Sequence, residues 1–127
     1  LEHAQGNDIY KLIFRNLFVD EKDAIIANVV WNYFSVVSDK WPHSWNEQIE
    51  GRILNRTTGF GALMRFLKNA FKEVSSKEKK VPEKEDFKKI FTKMKLKEDD
   101  FTRENFVPGS TGEGQLYRTL CEQTGLS

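Results

Sequence analysis

Ala24-Ile25-Ile26-Ala27-Asn28-Val29-Val30-Trp31-Asn32-Tyr33-Phe34-Ser35-Val36-Val37 is the stretch on which the fold class turns. Its β-branched residues suit a strand, but its length and its internal asparagines favour a helix. Wound as a helix from Glu21 to about Ser38, with Asp20 as cap, it places Ile25, Val29, Asn32 and Val36 in line. Ile26, Val30, Tyr33, Phe34 and Val37 widen that stripe into the face of a central, buried helix. Asn28, Asn32 and Ser35 interrupt it, and it is too short to span a bilayer.

The same periodicity extends in both directions. Upstream, Asp8 caps a predicted short helix from about Ile9 to Phe18, with Ile9, Leu12, Ile13 and Leu17 on one face. Downstream, Pro42 stops the central helix, because the residue before proline is pushed out of helical geometry. His43-Ser44-Trp45 opens a short helix toward Ile49, and Gly51 allows a turn. Thr57 or Thr58 caps a helix carrying Phe60, Leu63, Phe66, Leu67, Ala70 and Phe71. Residues 75–81, with Ser75-Ser76 ahead of Lys77-Glu78-Lys79-Lys80, read as a charged surface loop. Pro82 then suits the first turn of a helix bearing Phe87, Ile90, Phe91 and Met94, which the Glu98-Asp99-Asp100 acids end. A last helix runs from Thr111 or Gly112 to Gln123, with Gly125 as its stop. The expectation is a mainly α, single compact domain of about five to six helices spanning 1–127, without internal repeats.

Size and charge narrow the function classes. A chain of 127 residues, 39% hydrophobic and 13% aromatic, fills one core. Twenty Lys and Arg against 19 acids leave a net charge of +1, so any basic surface must be local. The single cysteine, Cys121, forms no internal disulfide and suits a reducing, cytoplasmic setting. The first residues lack the flank and apolar run of a signal peptide, and without an initiator methionine the chain reads as a fragment of a longer protein.

Two stretches come closest to chemistry. Gly109-Ser110-Thr111-Gly112-Glu113-Gly114 has the glycine spacing of a phosphate loop, yet Gln115 and Leu116 stand where that loop needs its lysine and hydroxyl. A nucleotide hydrolase is thereby excluded. What remains is a helix cap supplied by Ser110 or Thr111, or a phosphate contact made by Ser110, Thr111 and Gly112 with Arg118 one turn on. In Arg52-Ile53-Leu54-Asn55-Arg56-Thr57-Thr58-Gly59, the side chains of Arg52, Asn55, Arg56, Thr57 and Thr58, the backbone at Gly59 and nearby Arg65 are anion-binding candidates. The competing reading pairs these arginines with surface acids such as Glu47 and Glu50. Trp41 and Trp45 flank Pro42-His43 as an aromatic corner, either packed in the core or open as a platform for a base or a proline-rich peptide. His3 and His43 make no metal pair, and Cys121 lies among Leu116, Tyr117 and Leu120 with no evident base. The sequence therefore names no catalytic residue, metal or cofactor.

From Trp41 onward the order of features resembles the C-terminal portion of DGQHR-domain proteins, a bacterial group that includes regulators associated with DNA phosphorothioation. The likeness rests on Trp41-Pro42-His43-Ser44-Trp45, on Thr57-Thr58-Gly59-Phe60 entering an apolar helix, and on Gly109-Ser110-Thr111-Gly112 followed by Leu116-Tyr117. The Asp-Gly-Gln-His-Arg signature does not occur in the chain, so the resemblance places the defining half upstream. It implies a helical accessory region of a DNA-modification, defence or regulatory protein and assigns no catalytic residue. The expected function is a non-enzymatic binding module contacting DNA phosphate. The alternative is a structural or oligomerisation domain docking to an upstream domain or a second copy.

Overall fold

The computed structural model describes residues 23–78 and 80–126. Five helices form there: α1 (Asp23–Lys40), α2 (Pro42–Asn46), α3 (Thr57–Glu78), α4 (Lys84–Thr92) and α5 (Ser110–Thr124), with a short 3-10 helix at Glu98–Asp100. The mainly α expectation holds. Among the described residues no strand forms, and the only β-type pairing is an isolated bridge between Arg52 and Thr102. The expected helix at Ile9–Phe18 and its Asp8 cap, the Asp20 cap and Glu21 lie outside the described residues.

The long apolar stretch is helical and central as its periodicity predicts, except that Ile25, at the head of the predicted stripe, is 49% exposed. Val29, Val30, Tyr33, Phe34, Val36 and Val37 are all buried in the core. Tyr33 is fully buried and donates its hydroxyl to the Leu63 carbonyl of α3 at 2.6 Å, which satisfies the one polar atom it carries inward. Its ring meets Phe87 and Phe91 of α4 edge-on, and Phe91 meets Phe66 of α3 in the same way. Such edge contacts set the quadrupoles of the rings in their favourable geometry.

Four local expectations need correcting. Pro42 does not merely end α1; it also opens α2, where its fixed φ and missing N–H are compatible with a first turn. The helix expected to stop before a loop over 75–81 runs on to Glu78. Ser75 bonds back to the Phe71 carbonyl at 2.9 Å, Ser76 to that of Lys72, and Glu73 pairs with Lys77 one turn on. The Glu73–Lys77 pair supports this charged segment as helix, and the serine hydroxyls find carbonyls one turn back within it, so they do not draw the backbone into a turn. Pro82 lies ahead of α4, and Asp86 in the first turn accepts the Glu83 N–H at 2.8 Å, which closes the start of that helix. Finally, α5 starts at Ser110 with Gly109 as its cap residue and no side-chain cap, so neither Ser110 nor Thr111 performs that task. Gly125 does end α5, in the left-handed region at φ 76°.

Candidate anion-binding groove

The structure brings the two sequence candidates together. The backbone N–H of Gly109 donates to Thr58 Oγ1 at 3.0 Å, joining the starts of α5 and α3. Farther along, Glu113 approaches Gly61 and sits 3.7 Å from Arg65, whose guanidinium lies 4.4 Å from the Tyr117 ring centre. Tyr117 in turn donates to Asn69 Oδ1, and Asn69 donates to Cys121 Sγ. Residue numbers rise together on both helices, so α3 and α5 run parallel with their N-termini at the same end. The positive ends of two helix dipoles therefore meet at one mouth.

Both starts are built alike. Ile53-Leu54-Asn55-Arg56-Thr57-Thr58-Gly59-Phe60-Gly61 and Phe106-Val107-Pro108-Gly109-Ser110-Thr111-Gly112-Glu113-Gly114 share the order apolar, apolar, two variable residues, Ser or Thr, Thr, Gly, any residue, Gly. In each, the first helical hydrogen bond closes from the residue between the glycines: Phe60 N–H to Arg56 O at 2.8 Å, and Glu113 N–H to Gly109 O at 3.0 Å. In each, a side chain on the first glycine would collide with the carbonyl five residues earlier, that of Leu54 for Gly59 and that of Val107 for Gly112. The likeness is confined to these nine residues at each helix start. It gives Gly59 and Gly112 a packing role, since each lets the incoming chain fold tightly over its own helix start.

A groove of about 990 Å³ opens at these two starts. Arg52, Asn55, Arg56, Thr57, Thr58 and Ser110 line it, together with Gly109, Trp45 and Arg103. The remaining candidates do not line it. Gly59 and Gly112 are buried beneath their own loops, Thr111 is exposed elsewhere, and Arg65 and Arg118 lie farther along α3 and α5.

The lining residues differ in what they have left to offer. Arg52 is largely committed: it donates to Ser44 Oγ at 3.3 Å, to the Glu98 carbonyl at 3.0 Å and to Asp99 Oδ1 at 2.9 Å. The acid it pairs with is Asp99, and Arg65 takes Glu113, so the expected pairing with Glu47 and Glu50 does not occur for either. Asn55 spends both amide hydrogens on the carbonyls of Trp45 and Glu47 and so holds the wall in shape. Arg56 and Arg103 are exposed and enter no ion pair with any described residue. Glu50 and Glu113 also line the groove and set a limit on its positive potential.

Arg103 was missed because nothing near it in sequence marks it. It reaches the groove through the bridge between Arg52 and Thr102 and the bond from its N–H to the Gly51 carbonyl, a pairing across some fifty residues that only the fold reveals. The aromatic corner divides. Trp41 is fully buried and donates its indole N–H to the Leu96 carbonyl at 2.8 Å, which makes it a core residue. Trp45 is part-buried, stacks on Phe34 with ring centres 5.2 Å apart, and forms part of the groove wall.

The residues with potential for catalysis do not share partners. His43 faces Glu47, Glu113 faces Arg65, and Cys121 accepts from Asn69. No group of three metal-ligating side chains occurs among the described residues. No family model, curated protein or solved structure matches the chain.

Proposed function

We propose that this chain is a non-enzymatic binding module whose groove takes the phosphate backbone of nucleic acid. The observation that carries this reading is the convergence of Arg56 and Arg103, which form no ion pair among the described residues, with two parallel helix N-termini at one open groove. Guanidinium groups bind phosphate oxygens in a planar fork, and a helix N-terminus favours an anion placed there by about 0.3–1 kcal/mol. The resemblance to DGQHR-domain proteins, with its implied place in a bacterial DNA-modification or defence system, agrees with this ligand, and lone Cys121 suits a cytoplasmic setting. No described helix is long and apolar enough to cross a membrane.

Two available arginines set the scale of the salt dependence. Neutralising about two phosphates gives a slope of about −1.4 for a single strand and −1.8 for a duplex, so affinity falls roughly 7- to 12-fold between about 50 and 200 mM salt. Fluorescence anisotropy with labelled oligonucleotides over a salt series measures this directly. Absence of binding at about 20 mM salt, where phosphate contacts are strongest, overturns the reading.

The second reading, a structural or oligomerisation domain docking to a protein partner, draws on a different surface. Trp31 and Ile25 of α1 are 64% and 49% exposed, and an apolar groove of about 600 Å³ runs between α1 and α3, lined by Ile26, Val29, Val30, Met64, Leu67 and Phe71. Sedimentation across a concentration series tests the homo-oligomer version, which a strictly monomeric chain opposes.

A further inference from the structure

The groove's arginines are accompanied by an aromatic wall that phosphate binding does not require. Trp45 stacks on Phe34 at 5.2 Å with 16° between planes, and Phe34 stacks on Phe60 at 5.5 Å and 13°. Three near-parallel rings from α2, α1 and α3 thus converge, and two of them, Trp45 and Phe60, line the same groove as Arg56 and Arg103. Asn55 fixes the backbone at Trp45 by donating to its carbonyl at 3.1 Å, so the indole is carried on a held segment and not on a free loop.

We propose that the groove is specific for single-stranded nucleic acid, with one base stacked on Trp45 while Arg56 and Arg103 hold the flanking phosphates. The inference rests on the phosphate-backbone reading above and adds the strandedness of the ligand and a third binding residue, Trp45. A duplex hides its base faces within its own stack, whereas an unpaired strand presents a π-face that any base can supply. Two phosphate contacts alone give weak binding, and a base on an aromatic side chain adds about 1–3 kcal/mol, roughly 5- to 150-fold. At about 990 Å³ the groove is at the upper end of small-ligand sites, which admits a nucleotide with its neighbouring phosphates.

The test compares three labelled probes on the intact 127-residue chain at low salt: an oligothymidine of about 12 nucleotides, an abasic strand of equal length and charge, and a duplex of equal length. The expected result is oligothymidine binding about 10-fold tighter than either of the other two. Trp45→Leu abolishes that preference, and Trp45→Tyr, which keeps an aromatic face, retains most of it. The wild-type comparison stands even if a Trp45 variant loses its fold. Equal affinity for oligothymidine and the abasic strand, or tighter binding of the duplex, overturns this inference and leaves phosphate binding intact. Failure of all three probes to bind overturns both.

Discussion

Thr58 on α3 accepts a hydrogen bond from the backbone N–H of Gly109 at 3.0 Å, so the cap of α5 is supplied by the neighbouring helix and not by its own sequence. Thr58 is itself 5% exposed, while its partner Gly109 stands at the open mouth of the groove. In the duplicated start, Thr111 occupies the equivalent position and is exposed. The two starts are alike in backbone and unlike in this one task.

Replacing Thr58 by valine keeps the volume and removes the acceptor. Losing this part-buried bond, whose donor on Gly109 is open to solvent, costs about 0.5–1.5 kcal/mol. The unfolding free energy of Thr58→Val, read from urea denaturation, should fall by that amount, while Thr58→Ser, which restores the oxygen, recovers most of it. Thr111→Val should be close to neutral. Equal loss at both positions contradicts the cross-helix cap.

Gly59 and Gly112 stand apart from Gly51 in what a side chain would meet. A methyl group at Gly59 or Gly112 meets a backbone carbonyl that has nowhere to go, whereas one at Gly51 meets nothing within 4 Å and encounters only the strain of φ +83°. Gly59→Ala and Gly112→Ala should each cost about 3 kcal/mol or more. Gly51→Ala should cost about 1–2 kcal/mol. Chemical denaturation of the three variants in parallel checks the ranking, and similar costs for all three contradict it.

The helices were legible because apolar residues recur at helical spacing, and buried aromatics such as Tyr33, Phe66 and Phe91 lie where that spacing puts them. Continuation of α3 through Ser75 and Ser76 was not legible, since a charged run with serines carries the same pattern whether solvated on a helix or in a loop. The groove was half legible. Arginine and threonine types marked Arg52, Arg56 and Thr58, but sequence does not reveal which arginine is already spent. Arg52 and Arg56 stand four residues apart and look equivalent, yet one is held by Ser44, Glu98 and Asp99 while the other is exposed. Long-range pairing decides this, and it is the information that local pattern lacks.

Acid should weaken the α2 corner through Glu98. Its carboxylate accepts the backbone N–H groups of Ser44 at 2.6 Å and His43 at 2.9 Å, at the start of α2. Burial pushes the Glu98 carboxyl up, but those donors and the nearby imidazole together outweigh it, so the net shift is downward. A depressed folded value means that the stabilisation is fully present above the ordinary glutamate range and is lost as pH falls through the lowered value. His43 is shifted the opposite way: its hydrogen bond to Glu47 and that residue's charge raise it. Its contribution is therefore present below the ordinary histidine value and lost as pH rises through the raised one. Denaturation midpoints from about pH 3 to 8 should show both limbs. Glu98→Gln should flatten the acid limb, and an unchanged acid limb in that variant contradicts the assignment.

Arg52 should behave as a structural residue despite lining the groove. Arg52→Ala removes donors to Ser44 Oγ, the Glu98 carbonyl and Asp99, and should lower stability by about 1–3 kcal/mol. Lysine should not restore it, because a single ammonium cannot span acceptors arranged for a planar fork. Thermal melts of the two variants beside wild type measure the loss, and a fully stable Arg52→Lys contradicts the argument.

The exposed arginines should show the converse. Arg56 and Arg103 enter no ion pair with any described residue, so their removal leaves no buried partner stranded and should change stability by less than about 0.5 kcal/mol. Their effect should appear in binding. If each contacts one phosphate, Arg56→Ala and Arg103→Ala should each reduce the magnitude of the single-strand salt slope by about 0.7, and the double variant by about 1.4. Arg118, which does not line the groove, serves as the control for loss of positive charge anywhere on the surface. Anisotropy titrations at several salt concentrations separate the cases. Equal slopes for Arg56→Ala and Arg118→Ala would mean that the protein binds through diffuse charge, whereas a slope that falls only for Arg56 and Arg103 locates the phosphates in the groove.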